Sequence, residues 1–69
     1  DESTYTATDF FYLGLAYFRL ENDIEAQKYL KIAIQKAPKF PRPYYYLAGS
    51  YYYTNNLSEA IKNYQKCIE

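Results

Sequence analysis

The sequence has no histidine, no methionine and no tryptophan, and its one cysteine is Cys67. Without histidine the commonest general base is missing, and no hydroxyl or thiol has an imidazole to activate it. A lone cysteine with no histidine also leaves no Cys/His set at metal-ligand spacing, so neither a metal nor a cofactor is expected. Cys67 repeats a small apolar position and reads as a buried side chain rather than a reactive thiol. It can close no internal disulfide, which leans towards a reducing compartment and a cytoplasmic location. The two glycines, Gly14 and Gly49, stand alone and form no phosphate-cradling loop. No apolar run approaches the roughly 20 residues needed to span a bilayer, and no signal peptide is visible. Eight lysines and arginines balance eight aspartates and glutamates. There is therefore no surplus of positive charge to grip the phosphates of duplex nucleic acid. The remaining carboxylates are scattered at helix starts, where capping accounts for them. Asn56-Leu57-Ser58 matches a glycosylation sequon, but Asn56 is better placed as a helix cap. These absences argue against an enzyme.

What is present is tyrosine, eleven of them in 69 residues. A chain this short makes one small domain near the limit of independent stability. It begins at Asp1 rather than methionine, so an excised piece or a processed form is expected. Tyrosine brings large apolar area and a hydroxyl that needs a partner, so several rings are expected to be half exposed.

The chain also repeats itself after 34 positions: Phe10, Leu13, Gly14, Tyr17, Ala26, Leu30 and Ala33 recur as Tyr44, Leu47, Ala48, Tyr51, Ala60, Tyr64 and Cys67. A unit of this length holds two short helices and a turn, and it buries its apolar face only by stacking on a neighbour. Residues 1–6 read as a polar lead-in, residues 7–40 as the first unit and 41–69 as a second, truncated at its end. The first helix spans about Ala7 to Leu20, with one apolar stripe at Phe10, Leu13 and Tyr17 and another at Phe11, Leu15 and Phe18. Asn22 caps a second helix over Asp23 to Lys36, with Glu25 three residues on, and Pro38 follows its end. Pro41 and Pro43 open a third helix to about Tyr53. Asn56 and Glu59 repeat the capping pair ahead of a fourth helix from about Leu57. The tyrosine runs 44–46 and 51–53 have strand propensity, but they sit inside helical periodicity and are read as helix.

The order of large and small residues resembles the tetratricopeptide repeat, whose pattern is W-x-x-L-G-x-x-Y, then alanine, an aromatic and proline. The first unit reads Phe10-x-x-Leu13-Gly14-x-x-Tyr17, then Ala26, Leu30 and Pro38. The second reads Tyr44-x-x-Leu47-Ala48-x-x-Tyr51, then Ala60 and Tyr64. Tryptophan is absent, and Glu21 and Asn55 stand where the family commonly has glycine. The resemblance covers nearly the whole chain. It implies an all-α fold, a right-handed α–α superhelix of two antiparallel helix-turn-helix hairpins. It also implies a non-catalytic scaffold that binds a protein or peptide partner.

In that family the first helices of successive repeats line a concave groove. By resemblance the inward set is Thr8, Phe11, Tyr12, Leu15, Phe18 and Arg19 on the first helix, and Arg42, Tyr45, Tyr46, Gly49, Tyr52 and Tyr53 on the third. Of these, Phe11, Leu15, Phe18, Arg19, Arg42, Tyr45, Tyr52 and Tyr53 are the candidates for holding a peptide. Phe11, Leu15 and Phe18 serve equally well as packing against the neighbouring helix. One family mode clamps a C-terminal carboxylate with lysine and asparagine, but this chain has Phe11, Leu15 and Tyr46 where those would stand, so no clamp is expected. Ile61 and Ile68 face the place of a next repeat while the first helix opens with water-tolerant Thr8 and Asp9, so either more repeats follow, as in a longer array, or a second copy covers the patch, and self-association is the second reading. A remote third reading, binding of single-stranded RNA by stacking on the aromatic residues, has the balanced charge against it.

Overall fold

In a computed structural model that describes residues 4–69, four α-helices follow one another with short turns: α1 (Ala7–Arg19), α2 (Asp23–Lys36), α3 (Pro41–Tyr53) and α4 (Leu57–Ile68). No strand occurs among the described residues. The tyrosine runs lie inside α3, where a side-chain period of 3.6 rather than 2 matches the buried positions.

Each boundary has a local cause. Residues 1–3 of the expected lead-in lie outside the described residues, and Thr6 is no loose end. The Asp9 N–H donates to Thr6 Oγ1 at 3.2 Å and the Thr6 N–H donates to Asp9 Oδ2 at 2.9 Å, a capping box that fixes the start of α1. Asn22 caps α2, its Oδ1 accepting the Glu25 N–H at 3.4 Å. Asn56 does not repeat this, since its side chain makes no capping bond. Glu59 instead faces Lys62 at 3.7 Å, and its carbonyl accepts a bond from Asn63 Nδ2 at 2.8 Å. Pro41 and Pro43 fall in the first turn of α3, where a missing N–H leaves no bond unmade.

The two turns inside the hairpins are built alike. After α1, the Glu21 N–H donates to the Phe18 carbonyl and the Asn22 N–H to the Tyr17 carbonyl; after α3, Asn55 and Asn56 donate to Tyr52 and Tyr51 in the same way. Both are Schellman turns, which need a left-handed residue just past the cap. Glu21 (φ 61°) and Asn55 (φ 65°) supply it. Glu21 therefore takes the role that glycine commonly has, at some strain.

α1 packs on α2, α3 on α4, and the hairpins meet where α2 lies against α3, with α1 also touching α3. Small residues set these approaches. A Cβ at Gly14 would stand 2.7 Å from Leu30 Cγ, so α1 and α2 come as close as only glycine permits. Ala26, Leu30, Ala33 and Ala48 are wholly buried around this contact. Where the start of α2 meets the last turn of α3 lies Ser50, fully buried; its Oγ donates to Asp23 Oδ1 at 2.9 Å and accepts from Gln27 Nε2 at 3.1 Å. Both partners come from α2, so this polar group is satisfied only when the two hairpins dock in this register.

Candidate functional site

The faces of α1 and α3 that turn away from this seam carry a connected run of rings. Tyr46 is its hub, with its ring centroid 5.7 Å from that of Phe11 and 5.6 Å from that of Phe18. Phe40 meets Phe11 edge-on at 5.4 Å, and Phe18 meets Tyr53 at 6.0 Å. Tyr45 stands edge-on to Tyr46 and leans on Tyr64 of α4 at 5.9 Å. Spacings and tilts of this kind suit the ring quadrupole and hold the side chains in fixed orientations. Gly49 helps to bring the elements together, since a Cβ there would lie 3.3 Å from Phe18 Cζ.

Two hollows open along this run. One, of about 650 Å³, is lined by Tyr12, Leu15, Arg42, Tyr45 and Tyr46 over a floor of Phe11, with Cys67 of α4 at its edge. The other, of about 630 Å³, is lined by Phe18, Glu21, Asp23 and Tyr53. The first has a cation at its rim and the second two carboxylates, so the run is apolar along its length and oppositely charged at its ends. Partial burial, then the neighbouring Tyr45, Tyr53, Tyr52 and Cys67, raises the Tyr64 hydroxyl above the usual tyrosine range.

The candidate residues divide accordingly. Phe11, Leu15, Arg42 and Tyr45 fall in the first hollow, and Phe18 and Tyr53 in the second. Tyr52 is exposed and stands edge-on to Tyr53 at 5.8 Å. Arg19 is exposed but lines neither of these two hollows. Phe11 is a correction: at 2% exposure, closed over by Phe40 and Tyr46, it packs the core and offers a ligand almost no surface. Cys67 is a second correction. It is half-buried rather than enclosed, because α4 has only α3 beside it among the described helices. Tyr46, Glu21 and Asp23 were not among the candidates. The hairpin turn brings the two carboxylates round to the hollow, a placement that spacing along the chain does not reveal.

No catalytic arrangement appears in this run of rings. Among the described residues, no group of three or more His, Cys, Asp or Glu could hold a metal ion, and no helix is long and apolar enough to cross a membrane. What the geometry offers is an apolar surface between paired helices that recur with the sequence period. A family model described as tetratricopeptide repeat matches residues 10–39 and again residues 44–69. The chain belongs to the tetratricopeptide repeat family. No curated protein and no solved structure gives a significant match. Tetratricopeptide repeats are generally protein–protein interaction modules of a non-catalytic, scaffold type. Phe10 and Tyr44, at the positions where the family pattern has tryptophan, open the two matched segments.

Proposed function

We propose that this chain binds an extended or helical peptide segment of a protein partner along the tyrosine-lined face of α1 and α3. The observation that carries the reading is the exposure of rings that already lie against other rings. Tyr45, Tyr52 and Tyr53 are 52%, 59% and 73% exposed, yet each lies within ring-contact distance of another aromatic side chain. Rings held in this way lose little freedom on binding and present large contact area with a hydroxyl at the rim. Arg42 at one end suits an acidic residue of the ligand, and Glu21 with Asp23 at the other suit a basic one. The fitting ligand is therefore an apolar segment flanked by opposite charges, running in one direction.

The test uses an immobilised peptide library of apolar segments with acidic and basic flanks in both orders. Against the best binder, the joint change Tyr45→Ala and Tyr52→Ala is expected to weaken affinity by about tenfold or more, equivalent to about 1.4 kcal/mol. The helical circular dichroism signal should remain. Unchanged affinity in a folded double variant overturns the proposal.

A further inference from the structure

We propose that the two end faces of this chain fit each other, so that α4 of one copy stacks on α1 of a second copy as α2 stacks on α3 within the chain. The inference is independent of the groove. It rests on the 34-residue register, which maps the internal seam onto both free ends. On one side of the seam, Asp23, Gln27 and Ile34 map to Leu57, Ile61 and Ile68, which are 48%, 57% and 85% exposed. On the other side, Leu47 and Ser50 map to Leu13 and Ala16, both exposed on α1.

The first argument is a concerted change of chemistry. The internal seam closes on a polar lock, Ser50 held by Asp23 and Gln27. At the ends all three members become apolar together, as Ala16, Leu57 and Ile61. A change on one face alone would set an apolar side chain against an unpaired polar group, at the full cost of its desolvation. With both faces changed, each end matches the other, and neither matches the internal seam. Register is thereby specified as well as contact.

The second argument is a hollow that recurs at the same register on the α1 face. Within the chain, Ile34 of α2 shares a surface hollow of about 300 Å³ with Tyr44, Leu47 and Asn63. The same register positions one repeat earlier, Phe10, Leu13 and Tyr29, line a hollow of about 350 Å³ together with Tyr5 and Asp9. Among the described residues no helix lies across that hollow, and Ile68, the repeat of Ile34, is the side chain in register to line it. The zero net charge of the chain leaves no long-range repulsion to keep copies apart.

A contact between two different faces does not close on itself, so copies add end to end. Analytical ultracentrifugation of the 69-residue chain over a concentration series tests this. The weight-average mass is expected to keep rising past twice the 8.2 kDa monomer mass, without a plateau at the dimer. Ile61→Glu and Ala16→Glu, each at an exposed helical position, should separately give monomers. Mixed together they should give a complex of twice 8.2 kDa and nothing larger, because one intact face remains on each. Circular dichroism checks both folds, and Leu13→Glu serves the α1 face if Ala16→Glu loses helicity. A wild-type chain that stays monomeric up to about 1 mM overturns the proposal. So does a dimer plateau abolished by Ile61→Glu but kept by Ala16→Glu, which would mean that α4 meets α4. Failure of the mixed variants to pair while the wild type associates overturns it too.

Discussion

The two repeats share one pattern of large and small residues, yet opposite halves of them are covered. In the first repeat the second helix has a neighbour on both sides and the outer face of the first is bare. In the second repeat the reverse holds. Leu47 is 3% exposed, whereas Leu13, the same residue at the same register, is 39% exposed; Leu30 is 0% exposed and its counterpart Tyr64 is 37% exposed. The repeat pattern therefore fixes which face needs cover, and the neighbouring helix decides whether it has any. The residues have diverged along the same line. Where α2 meets α3, serine, aspartate and glutamine lock the seam, and where no second helix is present the same positions are alanine, leucine and isoleucine.

The sharpest way to break this comparison is to make one change at both registers. Leu47→Ala removes a side chain enclosed by the seam and is expected to cost about 3 kcal/mol, transfer and cavity together. Leu13→Ala removes one already meeting solvent and should cost less than about 1 kcal/mol. Urea unfolding reads both. Since small domains carry only about 5 kcal/mol or so in all, the first variant should be unfolded at much lower urea. Equal losses would mean that the two positions are equally enclosed and that the contrast between the repeats is absent in solution. A smaller effect sharpens the comparison at the turns. Glu21→Gly relieves a side chain held at φ 61° and should raise stability by about 1 kcal/mol. Asn55→Gly, at φ 65°, should gain only a few tenths, because asparagine adopts this conformation more readily. For a domain of this size the first gain corresponds to a rise in Tm of about 4–8 °C. A fall in Tm for Glu21→Gly would show that the glutamate side chain contributes more than its backbone strain costs.

How far the sequence could be read follows from the same physics. The helices were legible because period and caps agree: α2 spans Asp23–Lys36 as the spacing predicts, and α1 stops one residue short of Leu20, which forms its cap. The start of α1 was not legible as a capping box, because Thr6 and Asp9 sit in a polar stretch that reads equally as a lead-in. The repeated Asn-x-x-Glu spacing at Asn56 suggested a bond that does not form, since spacing permits a cap but does not aim the side chain. The turn at Glu21 was obscured because its requirement is a positive φ, and only glycine or asparagine announces one. At the groove, the aromatic character of α3 was plain, but the division between floor and rim was not. Phe11 and Tyr45 look alike in a helical stripe; it is the closure of Phe40 and Tyr46 over Phe11 that buries one and leaves the other open. That closure joins residues far apart in sequence, and periodicity within one helix carries no record of it.

The central claim is that the α2–α3 seam, with the α1–α3 ring contacts beside it, holds two otherwise half-covered repeats together. Native-state hydrogen exchange, followed by NMR at concentrations where the chain is monomeric, tests it most directly. The amides around Leu30 and Leu47 should exchange most slowly, and those around their register partners Tyr64 and Leu13 distinctly faster. Equal protection at each pair, or the slowest exchange in α1 or α4, would contradict the account.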